Sequence, residues 1–252
     1  MAVLVNKLLY SLYFGIILFN VFFNGRTIMS TKLAAEKNVL FVTPRVSHYI
    51  LRTMLLLFAV VVPEGCQGPR KGSLFDGKTL GQWKVTEFGG QGNVDVKDGA
   101  IVLEMGNDLT GVHWTGSLVR MNYEITLEAM RVAGSDFFCG LTFPVGPNPC
   151  SLILGGWGGT VCGLSNIDYY DAANNETTRV ISFENGRWYR VRLRVTPDKI
   201  EAWLDDEKLV DVVTAGRKIS IRPEVDLSQP LGIASWRTTA AIRNIRLRRL
   251  AD

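Results

Sequence analysis

The chain has 252 residues, 47% of them hydrophobic, and a formal charge of +4 at neutral pH. The cationic surplus lies in residues 1–65, which hold six Lys/Arg against two acids; residues 66–252 carry 22 of each. A neutral domain argues against nucleic-acid binding, because phosphate contacts need a localised excess of cations.

Residues 1–65 contain two apolar runs. The first, 8–23, is interrupted by Ser11, Gly15 and Asn20 and is shorter than the roughly 20 apolar residues of a spanning helix. The second, MLLLFAVVV at 54–62, follows Arg52 and precedes Pro63-Glu64-Gly65-Cys66. A positive flank, a short apolar core and a small residue before the cut make an export signal. The Gly-Cys step resembles a bacterial lipoprotein signal, in which Cys66 is the lipidated residue. The expected location is then the cell envelope, with the membrane reached through that lipid or through the N-terminal segment. Export without lipid and a cytoplasmic chain are the alternatives. Met29 and Met54 also allow a downstream start, which would make 1–53 no part of the natural protein. The chain thus divides into a targeting segment (1–65), a linker (66–72) and a folded domain (73–250).

Short alternating runs separated by Gly, Asn, Asp and Pro fill the folded domain. Strands are predicted at 83–86, 94–96, 100–104, 112–115, 123–132, 137–143, 151–154, 179–183, 188–195, 200–204, 209–213, 231–235 and 241–248. No stretch reads as a long amphipathic helix, so the pattern predicts an all-β sandwich or barrel. One hairpin can be placed in register. A four-residue turn at Thr196-Pro-Asp-Lys199 pairs Val195 with Ile200, Leu193 with Ala202 and Val191 with Leu204 on one face. The other face then pairs Arg194 with Glu201, Arg192 with Trp203 and Arg190 with Asp205. A slip of one residue would spoil both faces. Cys139, Cys150 and Cys162 form no CxxC, and with Cys66 set aside they allow at most one disulfide. They read as buried thiols.

The run Ser73-Leu-Phe-Asp-Gly-Lys-Thr-Leu-Gly-Gln-Trp83 is distinctive, as are Asn185-Gly-Arg-Trp-Tyr-Arg-Val-Arg192, Glu201-Ala-Trp-Leu204 and Ile242-Arg-Asn-Ile-Arg-Leu-Arg-Arg-Leu250. Together they resemble the 3-keto-disaccharide hydrolase family, over about 73–250. The resemblance implies a concanavalin-like jelly-roll β-sandwich of two antiparallel sheets. It also implies a sugar-processing hydrolase outside the cytoplasm, acting on 3-keto-glycosides or related oxidised disaccharides. Many members have a Gln-x-His-Gly run before the final strand; here it reads Ala234-Ser-Trp-Arg-Thr238. The family's catalytic residues therefore cannot be carried across.

An ordinary glycosidase needs two carboxylates about 5–5.5 Å or 6.5–9.5 Å apart. Glu124 and Glu128 share a strand face but lie about 13–14 Å apart along it. A 3-keto sugar asks for less. Its ketone acidifies the C2 proton, so the glycosidic bond can leave by elimination with one base and one group to stabilise the enolate. Glu128 or Asp136 would supply the base, and Arg131 or Arg237 the cation. His113, the domain's lone histidine, is a further candidate base or ligand. A zinc site is not expected without a His/Cys cluster. No cofactor is expected, and calcium stays an option only through the oxygen-rich segment 165–177, where Asp168 and Tyr169 are candidate sugar contacts. Trp157, Trp203 and Trp236 are the candidate stacking residues. The alternatives to an enzyme are a non-catalytic carbohydrate-binding module and a structural envelope domain without a ligand.

Overall fold

A computed structural model describes residues 72–251 of the chain. The two N-terminal apolar runs and Cys66 lie outside the described residues. Within them, fourteen strands form two antiparallel seven-stranded sheets. The front sheet runs in the order β1 (Trp83–Val85), β4 (Leu109–Trp114), β13 (Gly232–Trp236), β6 (Cys139–Val145), β7 (Asn148–Gly156), β8 (Val161–Ser165) and β9 (Arg179–Val180). The back sheet runs β12 (Glu207–Val213), β11 (Lys199–Leu204), β10 (Trp188–Val195), β5 (Tyr123–Gly134), β14 (Thr238–Arg249), β3 (Ala100–Leu103) and β2 (Val94–Lys97).

The two sheets form the jelly-roll sandwich because every second residue of the central strands turns an apolar side chain to the core. In β5, Tyr123, Ile125, Leu127 and Ala129 are buried in the core; Cys139, Leu141 and Phe143 of β6 and Cys150, Leu152 and Leu154 of β7 join them. Tyr123 ties the layers directly: its hydroxyl donates to the Pro144 carbonyl at 2.5 Å. The three thiols are free and buried. Burial pushes Cys139 and Cys150 up to about 12 and Cys162 up to about 11.

The hairpin of β10 and β11 has the derived register, Val195 opposite Ile200 through Val191 opposite Leu204. Strand β8 was not foreseen. Its sequence Val161-Cys-Gly-Leu-Ser165 carries Gly163 at its centre and reads as part of the surrounding Gly-rich turns. A 3-10 helix, Pro223–Ser228, packs against β4 and β13. It approaches so closely that a Cβ on Gly232 would lie 2.5 Å from the Ser228 carbonyl oxygen. Glycine at 232 is what lets the helix sit there.

Candidate active site

A cavity of about 210 Å³ lies on the front sheet, on the side away from the core. Its lining includes Asp136, Phe137, Ile153, Trp157, Arg222, Glu224 and Trp236. Register explains the floor, to which Ser151, Ser165 and Ile153 contribute: Ser165 pairs with Ser151, and Ser151 pairs with Thr142 beside the cavity. Ile153 lines the cavity in the next row, beside Gly140, which Phe137 covers. Small side chains let a ligand come near the backbone, and the first row also offers hydroxyls. The Thr142 and Ser151 hydroxyls are hydrogen-bonded at 2.9 Å, while Ser165 Oγ donates to Asn166 Oδ1 at 2.8 Å.

Two indoles stand over this floor. Trp236 ends β13 and lies 6.5 Å, centroid to centroid, from Phe137. Trp157 tops the turn after β7 with a positive φ of 50° and is 43% exposed. Two charged side chains clamp that turn. Asp136 Oδ2 accepts from the Gly158 amide at 3.1 Å and Oδ1 from its neighbour Phe137 at 2.7 Å. From inside the sandwich, Arg131 Nη1 donates to the Gly159 carbonyl at 3.3 Å, Nη2 to Phe183 at 2.7 Å and Nε to Asn185 Oδ1 at 2.8 Å.

The third edge is charged. Arg222 donates to Glu224 Oε1 at 2.6 Å and to Asp171 Oδ2 at 3.1 Å. The hydrogen bond from Arg222 holds the Glu224 carboxyl below its ordinary range, outweighing the opposing effect of burial. Glu224 is therefore ionised at neutral pH and is not a proton donor there. The site combines an apolar-aromatic pocket for a ring, two carboxylates and one guanidinium. Among the described residues, no group of three metal-ligating side chains converges.

The sequence matches the 3-keto-alpha-glucoside-1,2-lyase-like domain over residues 71–248, well over half the chain. The chain belongs to this family. No curated protein matches it by sequence. Among solved structures it is similar to a candidate glycosyl hydrolase from Parabacteroides distasonis, at 18% identity, with 71% of this chain and 93% of that chain covered and a TM-score of 0.49. It is also similar to the carbohydrate-binding module CBM66 from Bacillus subtilis, at 11% identity, 66% and 95% coverage and a TM-score of 0.47.

In this lyase-like domain the residues singled out by sequence fall in different places. Asp136, Trp157 and Trp236 line the one cavity. Glu128 and Trp203 lie on the outer face of the back sheet, around a separate hollow. Arg131 is 6% exposed and points into the sandwich, where it braces the Trp157 turn instead of meeting a ligand. His113 pairs with Gly232 in register and its Nδ1 lies 3.0 Å from Thr86 Oγ1, outside the cavity lining. Arg237 donates to Asp108 Oδ1 at 2.6 Å and lies 5.5 Å from the Trp236 ring centre, so it flanks the indole without entering the cavity. Asp168 accepts from the Lys218 amide at 2.8 Å, and Tyr169 is 72% exposed; neither lines the cavity. Arg222 and Glu224 were missed. Their signal was only Arg222-Pro-Glu224 between strands, a charged pair astride a proline with no periodic pattern.

Proposed function

We propose that this domain cleaves a 3-keto-glycoside by elimination in the front-sheet cavity. The observation that supports this is the meeting of an aromatic pocket, the fixed Asp136 carboxylate and the Arg222 guanidinium in one cavity, in a chain of the 3-keto-alpha-glucoside-1,2-lyase-like family. Trp157 and Trp236 hold the sugar ring. Asp136 takes the C2 proton, whose electron pair moves toward the C3 carbonyl oxygen to form an enolate. Arg222, with N–H donors beyond those spent on Asp171 and Glu224, stabilises that oxygen. The enolate then collapses and expels the glycosidic oxygen from C1, which takes a proton from water and leaves as the alcohol, while the proton on Asp136 passes to solvent. The sugar is left as an unsaturated ketone, and adding water across C1 and C2, with its proton at C2, completes a net hydrolysis. An ordinary glycosidase reading is weaker, since it needs a carboxyl kept protonated and Arg222 keeps Glu224 ionised.

A 3-keto-glucoside incubated with the protein in D₂O tests the reading. Aglycone release with deuterium at C2 is expected, and the unoxidised glucoside should remain intact. Release from both substrates alike, or release without exchange at C2, contradicts it. A carbohydrate-binding module is the second reading, favoured by one observation: both Asp136 oxygens already accept backbone hydrogen bonds. Binding of the unoxidised sugar with no turnover of the ketone would select it. We further propose that the domain works in the cell envelope with Cys66 lipidated. Palmitate labelling of the expressed chain, lost in Cys66→Ser, tests that assignment.

A further inference from the structure

We propose that the outer face of the back sheet carries a second ligand site, for the carboxylate or phosphate group of an acidic sugar, centred on Thr126 between Arg192 and Arg246. The observation is a break in a pattern. Three strands, β10, β5 and β14, place matched rows on this face. Arg194, Glu124 and Arg248 form one row, and Arg190, Glu128 and Arg243 another. In each, a carboxylate stands between two arginines. The row between them reads Arg192, Thr126 and Arg246, with a neutral hydroxyl where its neighbours have an acid.

The flanking acids are committed. Glu124 accepts from Arg194 Nη2 at 3.1 Å and from Arg248 Nη2 at 3.0 Å. Glu128 accepts from Arg243 Nε at 2.7 Å and from Asn244 Nδ2 at 2.9 Å. Arg190 is satisfied by Asp205 and Asp206. The middle arginines are not so placed. Arg192 comes no nearer to a carboxylate than 3.8 Å, at Glu124, and its guanidinium lies 3.7 Å from the Trp203 ring centre. Arg246 makes no ion pair among the described residues.

Neighbouring strands are about 4.8 Å apart, so Arg192 and Arg246 flank Thr126 from the strands on either side of it. They face a hollow of about 440 Å³ whose lining also includes Trp203, Asn244 and the carboxylates of Glu128, Asp205 and Asp206, the last three facing Arg243, Arg187 and Arg190. Two planar cations beside a hydroxyl fit an oxyanion, since guanidinium donates in parallel to carboxylate or phosphate oxygens. The remaining amide and carboxylates suit sugar hydroxyls, which both donate and accept. The site is independent of the front-sheet cavity.

Titration calorimetry of the full chain with D-glucuronate, glucose 6-phosphate and glucose tests the proposal. One or both acidic sugars should bind, which tells carboxylate from phosphate, with affinity that falls as salt rises. Glucose should bind this site at least about tenfold more weakly, the scale of one lost charge-assisted contact. Thr126→Glu supplies the carboxylate of the neighbouring rows and should abolish the binding in a chain that still folds. Arg246→Gln should weaken it by about tenfold, and Trp157→Ala should leave it unchanged. Absence of binding by both acidic sugars overturns the proposal, as does equal binding of glucose. Binding unaffected by both Thr126→Glu and Arg246→Gln overturns it too.

Discussion

Arg131 shows how a charged side chain can serve a site without touching it. Its guanidinium sits between the rings of Phe138 and Phe183, 5.9 Å from each centre, and joins the Gly159 carbonyl of the Trp157 turn to the Phe183 carbonyl and Asn185 Oδ1 before β10. Arg131→Met leaves the buried Gly159 and Phe183 carbonyls without their donor and should cost about 3 kcal/mol in urea unfolding, because each orphaned group carries its own desolvation penalty. Trp157→Ala, at an exposed position, should change stability by less than about 0.5 kcal/mol. It should weaken sugar binding by about tenfold, the scale of one lost stacking contact; calorimetry on the variant reads both. The placement of Glu128 was half legible beforehand. Glu128 and Arg131 are three apart on one strand and so point to opposite faces. Which face belongs to the cavity was not legible, since that depends on which sheet the loops cover. Asp136, Trp157 and Trp236 were recognisable one by one, as an acid and two indoles near turns. Their convergence comes from the pairing of β13 with β6.

At the scale of elements, the β10–β11 hairpin was readable because charge and apolarity alternate together, so one register satisfies both faces. Strand β8 was not readable, because Gly163 interrupts its alternation. The 3-10 helix was hidden for a different reason: six residues beginning with a proline have no period to detect. Yet this helix delivers Glu224 to the cavity, and its seat is Gly232. Gly232→Ala should force the helix outward, since the new Cβ would meet the Ser228 carbonyl oxygen at 2.5 Å. The expected result is a stability loss of about 1–3 kcal/mol, with ligand affinity falling more than in a core variant of equal stability loss such as Leu141→Ala. Equal affinity in the two variants would separate the helix from the site.

Across the whole molecule, the two outer faces differ in chemistry while sharing one core. The back-sheet carboxylates make its stability sensitive to acid. Burial alone would raise Glu124 and Glu128, but hydrogen bonds from Arg248 and Arg194 to the first, and from Arg243 and Asn244 to the second, hold both below the ordinary value. A carboxyl depressed in the folded state stabilises it fully above the unfolded pKa, and that stability is lost as pH falls through the folded value. The Tm should stay level from pH 7 to about 5 and drop below about pH 4. Glu124→Gln should blunt the drop. The buried thiols, at about 11 to 12, should stay unreactive to a thiol reagent at pH 8 until the domain unfolds. The composition and strand spacing made the sandwich legible; which face carries the cavity was settled by tertiary contacts that no local pattern encodes.

The assignment of chemistry to the front sheet is tested most directly by the rate of aglycone release from a 3-keto-glucoside by Asp136→Asn, set beside that of Glu128→Gln. The first should lose at least about a hundredfold, the scale of a missing general base, and the second should keep the parent rate. Full activity in Asp136→Asn, or its loss in Glu128→Gln without a fall in Tm, would place the reaction elsewhere.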